Sequence, residues 1–218
     1  MPVEIGSLAG AERGASQWKE TLMPLAEFVD TYLAPPTVGG GDGSGGDGGD
    51  AGGGADGGGD GGGGGAAAPS APVGYLAQHN LFEQLPRLRR DFSVPALCAG
   101  GVQHVNAWLG PAGTVTPLHF DSYDNVLTQV VGHKFVRLYD ASQTAWLYPK
   151  EGGGRGVDAQ GNVSAVDVEA PDLESHPDFT KAVGYECVLG PGEGLYIPAG
   201  CWHHVRSLTP SWSISFWF

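Results

Sequence analysis

The second half of the chain consists of short apolar runs that glycine, proline and aspartate separate from one another. Short runs of this kind, bounded by turn residues, are typical of β-strands. The pattern predicts strands at 106–110, 114–120, 125–131, 134–139, 186–189, 195–198, 203–208 and 212–218. Many short strands in succession predict a sandwich or a barrel. The turns at 190–193 and 197–200 have a spacing that suits a jelly roll of two sheets.

The first half of the chain carries one helical pattern. Apolar residues recur at helical spacing after Met23, which predicts a helix over 24–33. Pro24 fits the first turn, and the two prolines at 35–36 end the helix. Further predicted elements are strands at 3–5 and 74–79, a short helix or turn at 81–88, helix or loop at 141–148 and 172–180, and a mobile flap or crossing loop at 150–164.

A glycine tract interrupts these elements. Residues 39–65 contain 19 Gly, 5 Asp, 2 Ala and 1 Ser, which is half of the 38 glycines of the protein. Such a segment has no apolar surface to bury against the entropy of ordering it. We therefore expect a single domain over 1–218 that contains a disordered Gly/Asp-rich insertion loop at 39–68.

The charge of the chain narrows the choice of partners. The formal net charge is -13, and without the five aspartates of the glycine tract it is still -8. Nucleic-acid binding requires clustered Lys and Arg, and the chain has only 11 of them. We therefore expect no direct nucleic-acid ligand and a basic protein or peptide as partner.

The remaining composition points to an intracellular protein. Cys98, Cys187 and Cys201 are widely spaced, which favours a reducing compartment over a disulfide framework. The N-terminus shows no secretory signal, and no apolar run reaches 18 residues, so no membrane span is expected.

Three polar residues carry the candidate chemistry. His119 and Asp121 are two positions apart, so both side chains lie on one side of a strand. His203 follows 82 residues after Asp121. Two imidazoles and one carboxylate can occupy one face of an iron(II) octahedron and leave three positions open, as non-heme oxygenases require. His204 competes with His203 for the third position. Neighbours on a strand point to opposite faces, so only one of the two can be the ligand, and their chemistry alone does not say which.

Several longer segments share a resemblance with one family. They are 116–121 (Thr-Pro-Leu-His-Phe-Asp), 132–134 (Gly-His-Lys), 190–193 (Gly-Pro-Gly-Glu), 202–205 (Trp-His-His-Val) and, around them, 2–7, 74–79, 106–108, 166–173 and 215–217. In this order they resemble the Jumonji-C (JmjC) family of iron(II) and 2-oxoglutarate dependent oxygenases, most closely its arginyl hydroxylase branch. The resemblance implies a mainly β fold, a cupin-like double-stranded β-helix (jelly roll) with a few flanking helices. It also implies that the chain begins almost at its catalytic core.

The resemblance assigns roles to individual residues. It implies that His119, Asp121 and His203 bind Fe(2+), with the ligand directly after the tryptophan and His204 beside it as a supporting or core residue. The cosubstrates are 2-oxoglutarate and O2. Lys134 corresponds to the residue that binds the distal carboxylate of 2-oxoglutarate, where an ammonium offsets the desolvation of a buried anion. The residues that correspond to the rest of the cosubstrate site are Tyr75, Thr116 and Asn125.

A second set of residues corresponds to the substrate pocket of the family. Glu4 and Trp18 match positions that ion-pair with and stack on a guanidinium group. Trp108 and Trp217 match aromatic residues near that pocket. Between Glu4 and Trp18 this chain has an Ala- and Gly-containing stretch of its own, so the match there is looser.

The expected activity is hydroxylation of a protein side chain, with arginine as the leading target, in the nucleus or cytoplasm. Demethylation of methyl-lysine in histones is the alternative within the same chemistry. A non-catalytic metal-binding cupin or interaction domain is the alternative from another class. Succinate release that depends on iron and 2-oxoglutarate distinguishes an enzyme from a binding domain.

Overall fold

The computed structural model describes residues 1–6, 19–33, 72–150 and 161–218. The predicted insertion at 39–68 and Trp18 lie outside the described residues. No helix in the described part of the chain is long and apolar enough to cross a membrane.

The described residues form two antiparallel sheets. The strands are β1 Pro2–Gly6, β2 Lys19–Leu22, β3 Val73–His79, β4 His104–Gly110, β5 Val115–His119, β6 Asn125–Val131, β7 Lys134–Tyr139, β8 Tyr185–Leu189, β9 Gly194–Ile197, β10 Trp202–Ser207 and β11 Ser211–Trp217. The major sheet has the order β2-β1-β3-β4-β11-β6-β9, and the minor sheet has the order β5-β10-β7-β8. From β4 to β11 sequential strands alternate between the two sheets, except that β7 and β8 both lie in the minor sheet, and this topology is consistent with a jelly roll. The predicted fold class is confirmed.

All strands predicted in the second half are present, with ends that differ by at most two residues. Strand β2 was not predicted, because Lys-Glu-Thr-Leu has no apolar alternation. Its position depends instead on backbone pairing with β1, where Val3 lies opposite Thr21.

Short helices cover the outer face of the major sheet. The predicted helix over 24–33 is present as α1 Leu25–Phe28, which continues as a π-helical turn over Val29–Leu33. Helix α2 is Leu81–Gln84. Phe28 and Leu81 are buried in the larger core cluster with strand residues such as Leu76 and Phe216.

Two smaller apolar clusters lie close to the ends of β5 and β10. Leu118, Trp202 and Leu147 belong to one cluster, and Leu127 and Ile197 belong to the other. These clusters fix the strands that carry the polar residues described next.

Candidate active site

His119 and His203 lie on neighbouring strands of the minor sheet. Their Cα atoms are direct partners in the pairing of β5 with β10, and Asp121 follows β5 by two residues. Asp121 Oδ1 is 3.9 Å from His119 Nε2, and Asp121 Oδ2 is 3.6 Å from His203 Nε2. The three ligand atoms lie within 4.8 Å of one another, close enough to bind one metal ion.

Backbone carbonyl groups fix the tautomer of both histidines. His119 Nδ1 donates to the Pro117 carbonyl oxygen at 2.8 Å, and His203 Nδ1 donates to the Cys201 carbonyl oxygen at 3.0 Å. A carbonyl oxygen only accepts, so each Nδ1 carries the hydrogen and each Nε2 keeps a free lone pair. Hydrogen bonds of this kind to metal-binding histidines orient the ring and hold Nε2 toward the ion.

His204 lies on the other face of β10. Its Nε2 is 3.6 Å from a carboxylate oxygen of Glu169, and its ring contacts Phe135 edge-on. It is therefore separated from the cluster that includes His203. The geometry leaves His203 as the neighbour that faces Asp121.

The Asp121 backbone is held by the turn that precedes β10. Gly200 N–H donates to the Asp121 carbonyl oxygen at 2.8 Å. Gly200 has a φ of +76°, a conformation that favours glycine. The turn therefore connects the loop that carries Asp121 with the strand that carries His203.

Burial keeps His203 in the neutral form, which binds metal. Burial, together with a smaller effect of the nearby His119, lowers the pKa of His203 to about 3. His203 is thus neutral at physiological pH. Burial raises the pKa of Asp121, which His119 partly offsets. A divalent cation would supply the positive charge that favours the ionised carboxylate.

A β-bulge brings Thr116 into the same pocket as His119. Residues three apart on a regular strand point to opposite faces. The pairing of β5 with β10 shifts between His203–His119 and Val205–Thr116, which places one extra residue in β5. A bulge of this kind redirects side chains near active sites. Both Thr116 and His119 consequently line one pocket.

This pocket brings together eight of the residues singled out from the sequence. They are Tyr75, Trp108, Thr116, His119, Asp121, Asn125, Lys134 and His203. Leu127, Ile197 and Val205 supply its apolar walls. A pocket that is largely apolar with a few convergent polar groups is typical of a small-molecule site.

Lys134 is a buried basic residue that lines the pocket. It begins β7, is 2% exposed, and its Nζ lies 5.8 Å from the centre of the Tyr75 ring. None of the ion pairs within the described part of the chain includes it. Burial lowers the pKa of Lys134 to about 7. A buried ammonium without a carboxylate partner is suited to an anionic ligand.

Two further polar groups face the same space. Burial raises the pKa of Tyr75, and the neighbouring Thr116 hydroxyl offsets this only in part, so the phenol stays protonated and can donate. Asn125 is 5% exposed, and its Oδ1 has no hydrogen-bond partner among the described residues. Buried polar atoms are normally paired, so an orphaned one in a pocket indicates a place for a ligand or water.

These residues fit iron(II) and 2-oxoglutarate. Two free Nε2 atoms and one carboxylate are the donor set of non-heme iron(II) oxygenases. A diacid that chelates the metal through one end has a second carboxylate to place, and Lys134 with Tyr75 and Thr116 supplies a cation and hydroxyl groups for it. The donor set and the buried ammonium thus agree on one kind of occupant.

The predicted substrate residues have different positions. Trp108 lines the pocket, and its Nε1 donates to Ser215 Oγ at 2.9 Å. Trp217 does not line the pocket; it is buried and stacks on Tyr123 at 5.4 Å between ring centres. Its Cα partner across the strands is Asn125, so it packs directly beside the site.

Glu4 lies at the edge of the same region. It is the Cα partner of Tyr75 on one side and of Glu20 on the other. The side chain is exposed, yet surrounding atoms desolvate the carboxyl group enough to raise the pKa of Glu4, and Glu20 raises it further.

The apolar walls were not predicted as site residues, although the sequence contains a signal for two of them. Leu127 follows Asn125 by two positions on β6, and Val205 follows His203 by two positions on β10. Residues two apart share a face of a strand. Period-two counting from the predicted polar residues would have found both.

Comparison with known proteins gives the family. The family model described as "Cupin-like domain" matches residues 15–218. A Drosophila melanogaster protein named "Jumonji C domain-containing protein 5" is 33% identical over 224 residues. The chain belongs to the cupin-like JmjC family.

Other JmjC relatives carry a different name. "Lysine-specific demethylase 8" of Danio rerio is 39% identical and that of Xenopus tropicalis is 36% identical, each over 223 residues. These matches and the Drosophila match cover 100% of this chain and 45%, 41% and 46% of the relatives. The chain therefore spans less than half the length of these relatives.

Proposed function

We propose that this JmjC protein is an iron(II) and 2-oxoglutarate dependent oxygenase that hydroxylates an arginine side chain of a protein substrate. One observation carries the proposal. Three convergent ligand atoms from His119, Asp121 and His203 share a pocket with Lys134, a buried ammonium without a carboxylate partner in the described part of the chain. A metal site alone would not need that ammonium.

Iron(II) with 2-oxoglutarate and dioxygen supplies the oxidising power that converts a C–H bond to a C–OH group. The residues of the chain would bind the metal and orient the cosubstrate. His119 and His203 offer their Nε2 lone pairs, and Asp121 offers its carboxylate. A donor set of only three leaves coordination positions for the cosubstrates.

The rest of the pocket would hold the diacid and exclude water. Lys134 would pair with its distal carboxylate, and the hydroxyl groups of Tyr75 and Thr116 would donate hydrogen bonds to the same group. Leu127, Ile197 and Val205 keep the surroundings apolar. An apolar enclosure strengthens these charged contacts and limits side reactions with water.

A basic target is supported by two carboxylates on the strands beside Tyr75, which lines the pocket. Glu4 and Glu20 lie directly opposite each other on β1 and β2, an arrangement that is destabilising for two like charges. A cation between them would relieve this repulsion. Trp108 adds an aromatic face on which a planar guanidinium can stack. The family position of Trp18 supports the same target, although that residue lies outside the described ranges.

Demethylation of methyl-lysine is the second candidate, because relatives from Danio rerio and Xenopus tropicalis are named lysine-specific demethylases. The chemistry differs only in the carbon that is hydroxylated. A hydroxyl group on an N-methyl carbon leads to loss of formaldehyde, whereas a hydroxyl group on an arginine side-chain carbon is retained.

The test is mass spectrometry of basic peptides after incubation with the protein, iron(II) and 2-oxoglutarate. We expect arginine peptides to gain one oxygen atom. Glu4→Gln should raise the KM for such a peptide, and Glu27→Gln, which removes an exposed charge on α1, should leave it unchanged. Loss of a methyl group from methyl-lysine peptides, with no oxygen gain on arginine, would replace the first candidate by the second.

Succinate formation is measured in the same reactions. If no substrate and no condition gives succinate that depends on iron and 2-oxoglutarate, the protein is a binding domain and both enzymatic candidates are wrong.

A further inference from the structure

A segment that precedes β8 runs along the edge strand of the minor sheet. We call residues 161–169 the strap. The Ser164 N–H donates to the Leu118 carbonyl oxygen at 2.8 Å, and Val163 forms an isolated bridge with His119. The prediction of a mobile flap over 150–164 therefore does not describe residues 162–164, which extend the sheet beside the candidate metal ligands. Residues 151–160 lie outside the described ranges.

Asn162 makes two contacts with one residue, Phe120. The Phe120 N–H donates to the Asn162 carbonyl oxygen at 3.0 Å, and Asn162 Nδ2 donates to the Phe120 carbonyl oxygen at 3.0 Å. Phe120 is the residue between the candidate ligands His119 and Asp121. Its N–H belongs to the peptide group that joins it to His119, and its carbonyl belongs to the peptide group that joins it to Asp121. Asn162 thus holds both peptide groups of the ligand-bearing turn.

We propose that Asn162 is a positioning residue that presets the His119–Asp121 pair for metal binding. The inference rests on the metal site of the proposed function. A free turn has to lose backbone freedom when the metal binds, whereas a turn held at both peptide groups has already lost it. Residues that support metal ligands through hydrogen bonds commonly change metal affinity by about 10- to 100-fold when they are replaced.

The rest of the strap is held independently of the Asn162 side chain. Arg206 pairs with Glu169 at 2.7 Å, and Arg137 donates to the Val168 carbonyl oxygen. The buried hydroxyl of Ser164 donates to the Leu147 carbonyl oxygen and accepts from the Val166 N–H. Removing the Asn162 amide should therefore leave the strap in place and free only the second peptide group of the turn.

These contacts provide a matched pair of variants. Asn162→Ala removes a hydrogen bond to Phe120. Ser164→Ala removes two hydrogen bonds of the same strap, and within the described residues the Ser164 hydroxyl makes no hydrogen bond to the ligand-bearing turn. A purely structural role of the strap predicts that Ser164→Ala impairs metal binding at least as much as Asn162→Ala.

The metal-free protein is titrated with Mn²⁺, and the concentration of the free ion is measured by electron paramagnetic resonance. Thermal unfolding of the same variants is measured separately. We expect Asn162→Ala to weaken Mn²⁺ binding by about tenfold. We expect Ser164→Ala to lower the melting temperature while it keeps the wild-type affinity. Equal affinities in Asn162→Ala and wild type, or equal losses in both variants, would overturn the positioning role.

If the proposed metal site itself is wrong, the result is different from these outcomes, because the wild type would then not bind Mn²⁺ at all. If Asn162→Ala does not fold, Asn162→Asp is used instead. It keeps the size of the side chain and replaces the N–H donor by a negatively charged oxygen. Its added negative charge alone would strengthen cation binding, so weaker binding supports the loss of the donor as the cause. Unchanged or tighter binding in Asn162→Asp contradicts it.

Discussion

Replacing Lys134 by methionine should stabilise the ligand-free protein and impair cosubstrate binding at the same time. The ammonium is 2% exposed, and burial lowers the pKa of Lys134 from 10.5 to about 7. At about 1.4 kcal/mol per pH unit, this difference corresponds to roughly 5 kcal/mol against the charged form. Methionine has a similar length without the charge, so the variant should gain a few kcal/mol, with roughly 5 kcal/mol as the upper limit.

The same burial predicts a pH dependence with a defined sign. Between pH 7 and 10.5 the unfolded chain keeps the Lys134 proton, whereas the folded, ligand-free protein releases it. Stability rises with pH wherever the unfolded state binds more protons. The contribution of Lys134 to the free energy of unfolding should therefore increase from about pH 7 to 10.5, and this increase should be absent in Lys134→Met.

The Lys134→Met substitution should weaken the binding of 2-oxoglutarate, although it stabilises the ligand-free protein. Without the ammonium, the distal carboxylate would be buried without a cationic partner, which costs about 3–5 kcal/mol. At 1.4 kcal/mol per tenfold change, the KM for 2-oxoglutarate should rise by roughly 100- to 3000-fold.

The assays are denaturant unfolding of the metal-free protein across this pH range and succinate formation as a function of 2-oxoglutarate. Lys181→Met is the matched control, because the Lys181 side chain is 57% exposed and pairs only with Asp178 at the surface. The control should change neither quantity. A Lys134→Met protein that is less stable than wild type and has an unchanged KM would refute the reasoning.

Three further substitutions test other parts of the structure. Gly132→Ala should destabilise the protein by about 1–3 kcal/mol in denaturant unfolding, because Gly132 has a φ of +74° and an added Cβ would meet a backbone carbonyl oxygen. Ser213→Ala should cost about 1–3 kcal/mol by the same measurement, because it leaves the buried Gln129 Oε1 without its 2.6 Å hydrogen bond. Thr116→Val should raise the KM for 2-oxoglutarate about fivefold, since the pocket loses one of its hydroxyl donors. An unchanged KM would remove Thr116 from the cosubstrate site.

The strands of the second half were predictable because each carries its own local signal. Glycine, proline and aspartate mark their ends, and apolar residues fill them. Strand β2 lacks this signal, since its polar residues depend on pairing with β1 rather than on burial. Backbone pairing between distant segments leaves little trace in the local sequence.

In the candidate site, too, the sequence predicted some features and missed others. The spacing of His119 and Asp121 predicted that both lie on one side of a strand, whereas β5 ends at His119 and Asp121 lies in the loop that follows it. The choice between His203 and His204 needed the pairing register, because period-two alternation separates neighbours without saying which one faces the pocket. Thr116 shares a face with His119 only through a bulge, and regular spacing predicts the opposite. Asn162 was missed because its role comes from contacts with a backbone 42 residues away.

The most direct test of the central claim is metal binding to the wild type and to Asp121→Ala. The two imidazoles and the carboxylate form one site in this account, so removal of the carboxylate should abolish tight binding while the fold persists. A Mn²⁺ titration with circular dichroism of the same samples measures both. The account predicts one bound ion per wild-type chain and none in the variant at the same ion concentration; equal binding in the two proteins would contradict it.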